Sequence, residues 1–390
     1  MAASIAAHSL FELGHFAAAA ARYETLHESS PDDDTLRERL LAAIFLAAQA
    51  QEAQGNLDEA ITGYLRLTDI DATSMIAIDA DYDIAALYEQ RGDLASAADH
   101  LEQFRTRHEN DDRVSSISLR LVSLLEAIGE QAAASEELLA IHSSAGFDAD
   151  VKRQALFRAG ELALAADDID GATHTFRQYA HTYVAPTELR FEAMHHMDLL
   201  YQQTGDADKR RFWLRKLVDT AEPGLRNEMD ARVRELAADA ALVLAGDAGK
   251  AFAEVNLTAP LKASLRRKQN AMMIAIKRFE RASSFGVTEV VNEATLAMAG
   301  LYESLGASLM DSPVPGGLNE LEREQYALLL EEQAFPIEEK AIELHELNLY
   351  RGWQSGFDGA IVKSLGALEI LVPGRFRRPT QEVAHAKTLY

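Results

Sequence analysis

Gly55-Asn-Leu-Asp-Glu-Ala60-Ile-Thr-Gly-Tyr64 and Gly92-Asp-Leu-Ala-Ser-Ala97-Ala-Asp-His-Leu101 carry the same three signals in the same places. Glycine is followed five residues later by alanine, and four beyond that by an aromatic residue or leucine. Gly14, Ala19 and Tyr23 repeat the arrangement upstream, with Pro31 closing the copy. Weaker copies start at Gly129 (Ala134, Leu138), Asp167 (Ala172, Phe176), Gly205 (Leu214, with Arg210 in the alanine slot) and Gly246 (Ala251, Val255). Each copy lies between two stretches of helical periodicity. The glycine is therefore read as the left-handed residue that ends one helix, and Asn56, Asp93 and Asp206 as caps of the next. The alanine marks where two helices cross, since a larger side chain would push them apart. The residue nine beyond the turn shares a helix face with the residue at twelve, which is Leu26, Leu67, Phe104, Ile141, Tyr179 or Leu217. Self-similarity at such a period means stacked helical hairpins.

The pattern resembles the tetratricopeptide repeat (TPR), a helix–turn–helix unit of about 34 residues. The turn-to-turn steps here are 41, 37, 37, 38, 38 and 41 residues. The excess over the standard is close to one or two turns of 3.6 residues, which lengthens a helix without rotating its apolar stripe off the core. The expected fold is all-α: a TPR-type right-handed helical-hairpin solenoid of about seven hairpins over residues 1–258. A C-terminal helical TPR-like module, residues 259–390, follows.

Composition narrows the function. The chain has 390 residues, is 48% hydrophobic and lacks cysteine, which removes disulfides, thiolate nucleophiles and thiolate metal sites. Absence of cysteine also leans toward an extracytoplasmic setting. No run approaches the roughly 18 apolar residues of a membrane span, and no basic head or cleavage site marks a signal peptide at the start. The first copy begins almost at residue 1, without the polar cap that solenoids need, so the chain is expected to be a piece of a longer protein. Net charge is −24: residues 1–250 carry 23 basic and 44 acidic groups, and residues 251–390 carry 15 and 18. Such a surface repels phosphate backbones, so no nucleic-acid partner is expected.

The pattern changes after about Thr258. Helices are expected over 261–283, with Arg266-Arg267-Lys268 on one turn and a small–large–small set at Ala275, Phe279 and Ala282. Gly286 breaks this helix, and another is expected over 289–310 (Ala297, Tyr302). Asp311-Ser-Pro-Val-Pro-Gly-Gly317 is a Pro/Gly loop. Asn319 and Glu322 form a capping box for the next helix, Pro336 opens a further helix running toward Tyr350, and a last helix covers 357–371 before Pro373. The run from Pro315 through Asn319, Tyr326, Phe335-Pro336 and His345-Glu346 resembles the C-terminal part of large TPR proteins of Gram-negative bacteria. Those are encoded beside TonB–ExbB–ExbD-type energy-transduction genes, and related ones serve gliding motility. The resemblance covers residues 260–375 and implies a periplasmic or envelope-associated scaffold. It carries no functional residues with it.

In a TPR stack the first helix of each hairpin lines the concave face, with solvent-facing positions thirteen, ten, six and three before the turn. Ten before it stand Phe45, Tyr82, Leu119, Phe157 and His195; six before it, Gln49, Ser123 and Glu161; three before it, Glu52, Glu89, Glu126 and Gln202. A row of carboxylates beside a row of large apolar groups suits a protein or peptide partner with basic and apolar side chains. The alternatives are a merely solvated glutamate face, or a row covered by the chain's own C-terminal region.

No P-loop, dinucleotide fingerprint, GxSxG or HExxH motif occurs. The Glu-x-x-His pairs Glu24/His27 and Glu192/His195 lie about four hairpins apart and do not converge as di-iron ligands would. His195-His196, His174 and His181 are read as ordinary surface or groove histidines, so neither a metal nor any cofactor is expected. The basic runs Lys209-Arg-Arg211 with Arg215-Lys216, and Arg375-Phe-Arg-Arg378, are read as partners of neighbouring carboxylates, with anionic lipid contact as the alternative. The expected function is non-enzymatic: a protein-interaction scaffold of a bacterial envelope complex. The competing reading is a TPR regulatory or sensor domain of a larger cytoplasmic protein.

Overall fold

The computed structural model describes residues 2–221 and 229–377. The described residues are helical, without strands. The chain divides into two compact units, Met1–Thr175 and Phe176–Tyr390, the boundary falling inside one helix. Unit 1 holds α1 (Ala2–Glu12), α2 (Phe16–Ser29), α3 (Asp34–Ala53), α4 (Leu57–Asp71), α5 (Met75–Arg91), α6 (Leu94–Arg107), α7 (Val114–Ile128), α8 (Gln131–Ser143), α9 (Ala149–Ala165) and the start of α10 (Ile169–Thr182). The remainder of α10 opens unit 2, followed by α11 (Thr187–Gln203), α12 (Ala207–Thr220), α13 (Ala231–Ala253), α14 (Leu261–Ser283), α15 (Thr288–Met310), α16 (Glu320–Ser355), α17 (Gly359–Leu371) and α18 (Pro373–Phe376).

The hairpin turns fall where the glycines predict. Gly14, Gly55, Gly92, Gly129 and Gly205 all have φ between 74° and 86°, and Asp167 takes the same role at φ 60°. In the first five turns the next residue's N–H reaches back five residues: His15 to Leu10, Asn56 to Gln51, Asp93 to Tyr88, Glu130 to Leu125 and Asp168 to Ala163, all at 2.9–3.0 Å. This closes the orphaned carbonyls of the finished helix. Asp93 and Asp206 then cap the next helix by accepting from Ser96 N and Lys209 N. Asn56 does not cap: its side-chain amide donates to Gln51 Oε1 at 2.8 Å instead.

Ala19, Ala60, Ala97, Ala134 and Ala172 are all 0% exposed, occupying equivalent places in successive hairpins. Tyr23, Tyr64, Leu101, Leu138 and Phe176, four residues on, are buried as well. At the sixth turn the alanine slot holds Arg210, whose Nε donates to the carboxylate of buried Asp198 at 2.7 Å. An ion pair replaces the small contact there.

Three expectations about unit 2 need correction. Gly246 is no turn: it lies inside α13, and Ala251, its supposed crossing residue, is exposed. Buried Ala237, Ala241, Ala245, Ala248 and Phe252 form one apolar face that runs past the glycine. That packing outweighs the roughly 1 kcal/mol a helical glycine costs. The seventh hairpin is instead α13 with α14, joined through 254–260. Lys268, almost fully buried, donates to Val255 O at 2.9 Å and sits 4.5 Å from the Phe252 ring centroid, tying down the end of α13.

The second correction concerns Pro336, which starts no helix. It lies within the continuous 36-residue α16, capped by the Asn319–Glu322 box. Pro336 removes one i→i−4 bond at a cost of about 3 kcal/mol. Leu330 and Ala334 on one side of it, and Ala341 and His345 on the other, are buried, so packing holds the helix together across the gap. The last long helix begins at Gly359, not at 357. In this unit α11, α13, α15 and α17 each touch the next of the series, while α13 pairs with α14 and α15 with α16. The alternation of first and second helices therefore continues through the C-terminal region. Residues on both sides of 258 share one core, Ala245 and Phe252 packing with Met272, Ala275, Phe279, Ala294 and Leu301.

Candidate partner-binding face

The first helices of unit 1 present the predicted rows, but with the roles redistributed. Phe45 is half-buried with its ring 5.5 Å from that of Tyr64, and Tyr82 is half-buried 5.6 Å from Phe104. Arg113 lies over the Tyr82 ring at 4.8 Å. Phe157 is buried. Most of the aromatic row therefore forms the wall of the hairpin cores, and Leu119, 45% exposed, is its accessible member. Gln49 and Ser123 are exposed; the Ser123 hydroxyl donates to Leu119 O at 3.3 Å. His195 and Gln202 lie on α11 in unit 2, half-buried and exposed respectively. The other ten sequence-predicted residues, from Phe45 to Glu161, lie in unit 1, spread over α3, α5, α7 and α9.

The glutamate row is paired internally. Arg120 on α7 donates to Glu89 on α5 at 2.6 Å, and Arg158 on α9 donates to Glu126 on α7 at 2.8 Å. Arg158 also reaches Glu161 at 3.0 Å. The partners stand 31 and 32 residues apart, so one first helix supplies the base for the acid of the one before. In unit 2, Arg232 on α13 holds Glu192 on α11 at 2.6 Å in the same manner. These pairs are half-exposed, each worth about 0–1 kcal/mol. Their consequence for a partner is larger than their energy, since an acid already held by arginine attracts an incoming base less.

The ladder is broken at its first rung. The residue 31 beyond Glu52 is Asp83, an acid where Arg120 and Arg158 stand in later repeats. Glu52 accepts from the Tyr64 hydroxyl at 3.1 Å, and no base lies within ion-pair distance of Glu52 or Asp83 among the described residues. Local desolvation by the neighbouring helices, then the charges of Glu52 and Asp79, push the Asp83 carboxyl above the usual carboxylate range although the residue stays exposed, against a weaker pull from Arg113 and Arg120. Burial and the hydrogen bond to Glu52 push the Tyr64 hydroxyl up as well. Asp79 differs in being held by Arg113 at 3.0 Å. The α3–α5 contact is thus the place on this face where two carboxylates meet without a matching base. Sequence reading missed Asp83, Arg120 and Arg158, although acid–base spacings close to the repeat period were visible in it.

Glu24 and Glu192, the acids of the two Glu-x-x-His pairs, are bonded to Arg66 and Arg232, each at 2.6 Å. Most of the basic run on α12 is also engaged: Lys209 with Asp206, Arg210 with Asp198, and Arg211 with Asp247 and Asp208. Arg375 pairs with Glu346, while Arg378 lies outside the described residues.

Residues 42–74 and 79–111, spanning most of α3–α4 and α5–α6, each match the family model described as tetratricopeptide repeat. The chain therefore contains tetratricopeptide repeats, which generally serve as scaffolds for protein–protein interaction. Its fold is a TPR-type helical-hairpin solenoid. Among solved structures it is similar to the Naa15/Naa10 complex bound to HypK-THB (13% identity, 95% of this chain and 63% of that one, TM-score 0.40). It is also similar to a tetratricopeptide repeat protein from Parabacteroides merdae (11% identity, 77% and 98%, TM-score 0.28). A third is a putative kinesin light chain of nearly identical TPR-like repeats from Podosopora anserina (16% identity, 45% and 92%, TM-score 0.27). No curated protein matches the chain by sequence.

Proposed function

We propose that this chain is a non-enzymatic scaffold that holds a peptide or protein partner along the first-helix face of unit 1, with a basic side chain of the partner seated between Glu52 and Asp83. The break in the glutamate–arginine ladder carries this reading: a partner's arginine or lysine would supply the base that α5 lacks. Gln49, one turn from Glu52 on α3, and Leu119 and Ser123, on α7 of the same first-helix series, are exposed polar and apolar groups. A charge-assisted hydrogen bond is worth about 1.5–3 kcal/mol, which is enough to fix the register of a bound segment. The C-terminal resemblance supports a place in a periplasmic envelope complex of the TonB or motility kind; fractionation of cells expressing the native gene tests that part separately.

Replacing Asp83 with arginine completes the ladder from within and removes the seat. With a photo-crosslinking amino acid at Gln49, cells expressing the unaltered chain should yield discrete cross-linked products that D83R loses and that E52Q/D83N weakens about tenfold or more. Products of equal intensity in all three would refute the assignment of this face.

A further inference from the structure

Helix α16 leaves large apolar side chains uncovered at a strict spacing. Leu321, Leu328 and Phe335 are 63%, 59% and 60% exposed, and half-buried Ile342 continues the step of seven. At about 100° per residue these four stay on one side of the helix, drifting by only about 20° per step. The buried side of α16 is different, being Leu330, Ala334, Ala341, His345 and Asn348. Further along the exposed side stand Tyr350 and Trp353, 60% and 75% exposed. From Leu321 to Ile342 the stripe runs about 32 Å at 1.5 Å per residue. Uncovered apolar surface of this extent marks an interaction site.

Between successive apolar residues the same side carries acids. Three and four residues after each come Glu324 and Gln325, Glu331 and Glu332, then Glu338 and Glu339, all exposed. The two bases of that span, Arg323 and Lys340, fall on other sides of the helix. Over its 36 residues α16 has nine glutamates against three lysines and arginines. A second copy of α16 brings the same acids to the contact and no base to meet them. Charge complementarity therefore selects a different occupant.

We infer that the outer stripe of α16 is a docking surface for an amphipathic helix whose apolar residues repeat every seven positions and whose intervening positions are lysine or arginine. Apolar layers of the incoming helix pack on Leu321, Leu328, Phe335 and Ile342, and its bases lie between the paired glutamates. The surface stands apart from the α3–α5 seat and does not depend on it.

The test uses the full chain and a designed 24-residue helical peptide with leucine every seventh position and lysine three and four residues after each leucine. Trp353 lies on the stripe and Trp213 is buried, so tryptophan emission reports local binding. The expected results are a blue shift on titration, affinity at least tenfold weaker when sodium chloride rises from about 50 to 300 mM, and loss of binding in L321S/L328S/F335S. Because those positions are exposed, the helical circular dichroism of the variant should match the parent, and E331Q/E332Q/E338Q/E339Q should retain binding but lose its salt dependence. Equal binding of a peptide with glutamate in place of lysine would overturn the inference. So would a parent chain whose dimerisation by sedimentation is abolished in the triple serine variant and excludes the peptide.

Discussion

Asp81 is fully buried on α5, yet its carboxylate meets three basic side chains: His100 Nε2 at 3.2 Å, His108 Nε2 at 3.3 Å and Arg107 Nη1 at 3.0 Å. Burial pushes this carboxyl up, but the close approach of His100, whose Nε2 is hydrogen-bonded to the Asp81 backbone carbonyl at 2.8 Å, the Arg107 charge and the His108 bond together outweigh it and hold the group below its usual range. The charged form is therefore favoured by folding. Its stabilisation is complete above the ordinary carboxylate range and is lost as pH falls through the lower folded value. Asp81→Asn should cost about 3 kcal/mol in urea unfolding at pH 7, with the gap from the parent narrowing as the pH drops to 3; a gap independent of pH would contradict the ion-pair account. Glycines offer a second contrast at this scale. Gly92 has φ 82°, whereas Gly246 is helical, and neither would bring an added Cβ within 4 Å of a neighbour. Gly92→Ala should therefore destabilise by about 1–2 kcal/mol through backbone strain alone. Gly246→Ala should stabilise by about 0.5–1 kcal/mol, both read from urea midpoints.

At the scale of the element, α16 keeps a proline where its backbone cannot complete the ladder. Pro336→Ala restores one hydrogen bond, partly offset by the freer unfolded chain, and should raise stability by about 1–2 kcal/mol with slower amide exchange around Ile337–Lys340. The hairpins were legible because each turn needs a left-handed residue and each crossing needs a small one, two demands that leave a mark on single positions. Gly246 was misread because Ala251 and Val255 happen to stand at the repeat spacing, and nothing local reveals that the alanine face of α13 continues through it. Pro336 misled for a related reason: tertiary packing on both flanks overrode a strong local stop signal. Among the candidate residues, the exposure of Gln49 and Ser123 followed from position within the repeat, whereas that of Leu119 did not, Phe45, Tyr82 and Phe157 at the same place being half-buried or buried. The pairing of Glu89 and Glu126 did not, because their partners belong to other hairpins. The acid at Asp83 gains meaning only beside Arg120 and Arg158.

For the molecule as a whole, charge is divided unevenly between the two units. Residues 1–175 carry 12 basic and 32 acidic groups, a balance of −20, and residues 176–390 carry 26 and 30, a balance of −4. Self-repulsion in unit 1 weakens with screening, whose range is about 10 Å at 0.1 M salt and shorter above it. Raising sodium chloride from about 20 to 200 mM should therefore slow hydrogen exchange in α3–α8 more than in α13–α17; a uniform response would show that net charge does not limit unit 1. A different consequence follows from the core that Ala245 and Phe252 share with Met272, Ala275 and Phe279 across residues 254–260. A protease severing that connection would release nothing, because each fragment keeps the other clasped. Two polypeptides produced separately and divided at that point should find one another and reassemble, which makes 254–260 the natural place to split this protein for a complementation reporter.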